Sequence, residues 1–144
     1  MATKAALGAR LLVGLVFFMF GLDGFFHFTP FPPMSGPPAD FAAAMIAAGY
    51  LFPFVHGTEI VAGALLLSGR FVPLALTVMA PVVLNILAFH AFLAPSGLPF
   101  PLIIAALGVF LAWSYRSAFR PLLRASASPD AVSNSPALHG PKAV

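Results

Sequence analysis

Six side chains capable of chemistry stand within otherwise apolar sequence: Asp23, His27, His56, Glu59, Asn85 and His90. Carboxylates and imidazoles serve as general acids and bases, as metal ligands and as hydrogen-bonding partners of polar ligands. In surroundings of low dielectric they can exchange protons near neutral pH. Asp23 and His27 are spaced i, i+4, and His56 and Glu59 i, i+3, so on regular helices each pair shares a face. Asn85 and His90 lie five residues apart, roughly 140° around a regular helix. Asn85 sits deeper in its apolar run and is the one expected to face an interior. His90, about one turn from the end of that run, suits a head-group region equally well.

The elements that must position these groups are four apolar stretches, Leu11–Phe28, Tyr50–Ser68, Phe71–Ala94 and Pro99–Tyr115. Each approaches the roughly 20 residues a helix needs to cross a hydrocarbon core of ~30 Å. Of the 144 residues, 60% are hydrophobic and 8% charged, against about a quarter charged in soluble domains. The mean hydropathy is +0.99. These values predict an all-α integral membrane four-helix bundle in a lipid bilayer, with residues 1–124 as the membrane domain. All seven Lys and Arg fall on one side: Lys4 and Arg10 before the first span, Arg70 between the second and third, and Arg116, Arg120, Arg124 and Lys142 after the fourth. The loops around Phe31–Asp40 and Pro95–Gly97 carry none. By the positive-inside rule both termini and the Arg70 turn are cytoplasmic. Arg70 itself reads as a topology anchor that snorkels to the interface. The apolar run after Arg10 exceeds a usual signal-peptide core, and no Ala-x-Ala-like site follows before Asp23, so an uncleaved first span is expected.

Between spans one and two, five prolines in Thr29–Pro38 predict an extended outward loop. Asp40 then reads as the N-cap of a short interfacial or re-entrant helix over Phe41–Ala48. Pro53 suits the first turn of span two. Pro73 opens span three, and Pro81 within it predicts a kink. Gly14 and Gly21, seven apart, share a face on which a neighbouring helix can approach closely, and Gly63 extends the face of His56 and Glu59 in the same way. The tail over residues 125–144 is Ser-, Pro- and Ala-rich and is expected to be disordered on the cytoplasmic side. There is no cysteine, which excludes dithiol chemistry, thiolate metal sites and iron–sulfur clusters within this chain. No phosphate-binding Gly-rich loop, Gly-x-Ser-x-Gly elbow or basic–aromatic surface for nucleic acid is present.

An ionised group at the bilayer centre costs at least ~2.5 kcal/mol, so Asp23, His27, His56 and Glu59 are expected to turn inward and satisfy one another. Three readings of such a network stay open. One is a metal site, although the order His-x-x-Glu departs from the Glu-x-x-His of di-iron bundles and argues against a permanently bound metal. The second is a proton-relay or quinone-head site. The third is a hydrogen-bond network that only specifies helix packing.

Longer strings resemble the DoxX-like family of small four-span bacterial membrane proteins. They are Gly21-Leu-Asp-Gly-Phe-Phe-His-Phe28, Tyr50-Leu-Phe-Pro53, Thr58-Glu-Ile-Val-Ala-Gly63 and Ser68-Gly-Arg-Phe-Val-Pro-Leu74. The likeness continues through Ala80-Pro-Val-Val-Leu-Asn-Ile-Leu87, His90, Pro95-Ser-Gly-Leu-Pro99 and Tyr115-Arg116, and covers residues 8–124. It implies a multi-pass protein of the bacterial inner membrane, an accessory or redox-associated subunit beside a membrane oxidoreductase partner, with a quinone as candidate ligand. It implies no independent catalytic motif and is compatible with a homo-oligomer, a scaffold or assembly protein, or a small transporter. Glu59 matches the family's intramembrane Glu, while Asn85 and His90 match a recurring segment. The charge asymmetry itself is directly testable: reporter fusions after Arg70 and at the C-terminus should read cytoplasmic, and a fusion within Pro32–Pro38 should read outward. A periplasmic C-terminus would overturn the four-span topology.

Overall fold

The computed structural model describes residues 2–30, 33–123 and 125–126. Six helices follow in order: α1 (Ala2–Phe26), α2 (Pro37–Ala47), α3 (Leu51–Ser68), α4 (Val72–Phe92), α5 (Pro99–Ser114) and α6 (Arg116–Phe119). Short 3-10 turns occupy Pro95–Gly97 and Arg120–Leu123, and no strand occurs among the described residues. Three helices, α1, α3 and α4, are long and apolar enough to cross a membrane. At 16 residues α5 is shorter, roughly 24 Å at 1.5 Å per residue. It meets the same test only together with residues 116–123, from which it is bent by 75°. By length and composition the candidate spans among the described residues number three, or four with this bent pair. Phe92, Val109 and Trp113 are among the many large apolar side chains left exposed, a surface suited to lipid rather than to water. The tail expected to be disordered lies, apart from residues 125–126, outside the described residues.

Local chemistry accounts for the boundaries. α1 ends two residues before the expected Phe28, because His27 adopts a left-handed backbone with φ 51°. The helix before α3 begins at Pro37, four residues ahead of the expected start, and its N-cap is Gly36 rather than Asp40. Proline is tolerated in a helix's first turn, where its missing N–H is unused, so Pro37 and Pro38 open this helix instead of excluding it. Asp40 then lies in the first turn, where a carboxylate complements the helix dipole. α4 runs unbroken through Pro81. Between α3 and α4, Gly69 is left-handed (φ 73°) and ends α3 through its N–H to Leu66 O. The guanidinium of Arg10 lies against Gly69, tying α1 to this turn.

The apolar core comprises Ala9, Val13 and Phe17 from α1, Ala62 and Leu66 from α3, Val72, Ala75 and Met79 from α4, and Ile104 and Leu111 from α5. α1 and α3 pack most closely. A Cβ at Gly63 would stand 2.6 Å from Phe18 N and 2.9 Å from Gly14 O; one at Gly14 would stand 3.1 Å from Leu67 N. At Gly21 it would reach His56 O at 2.8 Å. Here two backbones touch, with no flexible side chain to yield. Without a hydrophobic force between helices in lipid, such dense van der Waals contact is what holds them. Gly63→Ala should therefore destabilise the bundle by about 1–3 kcal/mol, the typical cost of overpacking. Gly57→Ala, where an added Cβ meets nothing within 4 Å, should be neutral or stabilising by up to ~1 kcal/mol. Thermal melts in detergent compare the two; equal melting temperatures would contradict the backbone contact.

Candidate functional site

The close α1–α3 crossing determines where His56 stands. A Cβ on Gly24 would collide with the His56 imidazole, so the missing side chain is the space that ring occupies. Phe52 meets the ring edge-on with centroids 4.6 Å apart, and Phe25 does so at 6.4 Å. One turn further along α3, Glu59 is only 4% exposed. With Glu59 as carboxylate, His56 Nδ1–H donates to its Oε2 at 2.8 Å. The i, i+3 spacing thus forms the pair expected of it. Among the described residues Oε2 alone is engaged, and no fully buried side-chain N or O lacks a partner. The second oxygen of Glu59 is therefore not sealed off but retains access to open volume.

Glu59 lines a cavity of about 360 Å³ between α1, α3, α4 and α5, together with Phe17, Phe20, Ile86, His90, Phe100 and others. Its size is within the range of small-ligand sites, which are mostly apolar with a few convergent polar groups. His90 Nδ1–H donates to Ile86 O at 2.8 Å. A carbonyl only accepts, so Nδ1 carries a proton and Nε2 remains for another partner. The Cδ2–Nε2 edge of the ring lies against Gly97, itself part of the cavity wall. The turn Pro95–Gly97 thereby holds His90 in place.

α4 corrects one expectation. The inward stripe runs Val72, Ala75, Met79, Val82 or Val83, Ile86 and then His90, steps of three or four residues. Asn85 lies off this stripe and is exposed, while His90 is half-buried. Asn85 instead lines two voids beside α2, of about 270 and 760 Å³, the smaller of which also touches His56, Glu59 and His90.

Asp23 and His27 do not join the pair on α3. Asp23 is buried, but its Oδ1 accepts the Thr29 backbone N–H at 2.7 Å. It ties down the chain as it turns out of α1. His27, past the helix end, is exposed and shares no face with Asp23; only its backbone N–H returns, to Asp23 O at 2.8 Å. The Pro-rich sequence that follows cannot continue a helix, which is why the i, i+4 geometry stops short. Among the described residues no three His, Asp or Glu side chains converge on a position that could hold a metal ion. Reading the spacing alone missed Gly24 and Gly97 as seats of the two imidazoles. Gly24 was visible as the fourth glycine of α1, three residues beyond Gly21. Gly97 carried no such signal.

A family model described as DoxX matches residues 5–91, which is 87 of the chain's 144 residues. The chain belongs to the DoxX family. All six candidate residues lie within this DoxX match; α5 and the turn before it lie outside. No curated protein and no solved structure matches the chain. For this DoxX protein the geometry predicts unequal couplings. A double-mutant cycle of His56→Gln with Glu59→Gln should give an interaction energy of at least ~0.5 kcal/mol in detergent unfolding. The same cycle between Glu59→Gln and Asp23→Asn should be additive within ~0.5 kcal/mol. Strong coupling in the second cycle would restore a single four-residue network.

Proposed function

We propose that this chain is an accessory, redox-associated subunit of the bacterial inner membrane that offers Glu59, paired with His56, and His90 to a polar ligand head, a quinone. One observation carries the reading: a carboxylate 4% exposed, held at one oxygen only, beside an apolar-walled cavity that an imidazole also lines. A neutral, hydrogen-bond-donating head group suits such a site, since the Glu59 carboxylate and His90 Nε2 can each accept a hydrogen bond while Phe17, Phe20 and Phe100 supply apolar walls for a ring. The bound quinone would supply the electron chemistry; the chain's own residues bind, orient and exchange protons. In this reading the chain acts beside a partner oxidoreductase. On the same reading the one-sided Lys and Arg put both termini in the cytoplasm, with Glu59 near the bilayer midplane.

A second reading, a scaffold in which His56 and Glu59 only specify helix packing, draws on the complete pairing of buried side-chain polar atoms among the described residues. Glu59→Gln distinguishes the two, because it keeps size and most hydrogen-bonding capacity. A packing role leaves the variant close to wild type in melting temperature and in retained ligand. The proposed role leaves it folded but without bound quinone and without support of the partner's activity. Retention of both would leave the scaffold.

A further inference from the structure

Below the Glu59 cavity lies a second void of about 300 Å³, in the seam between α4 and α5. The two voids share Phe17, Val83 and Ile104 as walls. The second contains no ionisable or hydroxyl side chain; Met79, Leu87 and Ala112 are typical of its lining. Leu84 and Val109, both strongly exposed, stand at its mouth, so the seam opens sideways to the surroundings of the bundle. Taken together, the two adjoining voids have their ionisable groups, Glu59 and His90, at one end and apolar side chains along the rest. From Phe100 to Ala112 they follow α5 for roughly 18 Å.

Gly108 stands midway along this seam. Gly14, Gly21 and Gly63 give their missing side-chain volume to a neighbouring backbone, whereas a Cβ at Gly108 meets nothing within 4 Å. Glycine weakens a helix interior relative to alanine. At Gly108 no packing partner within the described residues makes use of that concession. The glycine widens a void that shares the walls Phe17, Val83 and Ile104 with the cavity lined by Glu59.

We infer that the α4–α5 seam takes the apolar tail of the ligand whose head meets Glu59, so that the site is built for an amphiphile with a hydrogen-bonding head and a linear hydrocarbon or isoprenoid tail. This rests on the proposed head site. The ligand reaches it sideways from the bilayer: the head passes between Leu84 and Val109 and rises to Glu59, and the tail remains in the seam. A tail in lipid gains little by moving into another apolar space, so the seam acts by shape, admitting a chain where a filled one would obstruct it.

The test uses the full chain in detergent with two probes, a benzoquinone bearing a decyl chain and the same benzoquinone without it. Binding to wild type, Glu59→Gln, Gly108→Leu and Ala112→Leu is measured by calorimetry, with melting temperatures as the fold control. Glu59→Gln should lose both probes. Gly108→Leu fills the seam and should weaken the decyl probe by about tenfold or more, leaving the chain-less probe within about twofold of wild type. If Gly108→Leu lowers the melting temperature, Ala112→Leu at the far end of the seam gives the same comparison. An unchanged decyl affinity in both Leu variants, while Glu59→Gln abolishes binding, overturns the tail site and leaves the head site standing. The same holds if Gly108→Leu alters only the oligomeric state, since the seam is then a contact between copies. Failure of wild type to bind either probe overturns the head reading and the tail site together.

Discussion

At the crossing of α1 and α3, Gly14 and Gly63 bring one helix backbone against the other, and Gly21 and Gly24 extend the contact to His56. The placement of the His56–Glu59 pair depends on that approach. A lipid bilayer provides no hydrophobic force between helices, so close packing of this kind is a main source of cohesion. It also defines an orientation. With Gly63 against Phe18 and the imidazole of His56 over Gly24, α3 has a fixed rotation, and Glu59 is carried inward to where α4 and α5 complete the walls.

The two buried carboxylates meet the cost of burial in different ways. Asp23 accepts a backbone N–H from the chain leaving α1, so its charge is answered locally and its work is to shape the exit from the helix. Glu59 relies on a side chain, His56, for one oxygen and lines the cavity. A buried ionisable group half satisfied by protein is costly unless something else completes it. Each carboxylate has one oxygen hydrogen-bonded among the described residues, and of the two it is Glu59 that lines the cavity between α1, α3, α4 and α5.

α5 gives the bundle its second character. Its short length and the 75° bend after Ser114 suit a helix that stops early and turns at the basic, aromatic level of Trp113 and Arg116. There Arg116 lies 5.3 Å from the Trp113 ring centroid and donates to its carbonyl. Contact of α5 with the rest runs through Pro101, Ile104 and Leu111, and the intervening Ala105, Gly108 and Ala112 leave the seam against α4 open. A tight α1–α3 pair and a looser α4–α5 pair divide the labour between holding the polar groups and leaving room beside them.

Much of this was legible in the sequence. Hydropathy and charge scarcity dictated helices in a membrane, because a backbone in hydrocarbon must satisfy its own hydrogen bonds. The spacing of His56 and Glu59 fixed their pairing within one helix, and the spacing of Gly14 and Gly21, with Gly63, marked the faces that touch. Periodicity could not say where a helix would stop. His27 was lost from the face of Asp23 by a single left-handed residue, and Pro37 and Pro38 began a helix they had been expected to prevent. Nor could it choose between Asn85 and His90, since both lie on one helix and the choice depends on which way α4 is turned. That rotation comes from Val72, Ala75 and Met79 meeting the core, and from Gly97 closing on the imidazole. The sequence by itself determined the membrane class, the helices and the local pairs, all of which rest on neighbours in the chain. Tertiary structure alone decided which pairs meet a cavity, because that depends on residues brought together from four different helices.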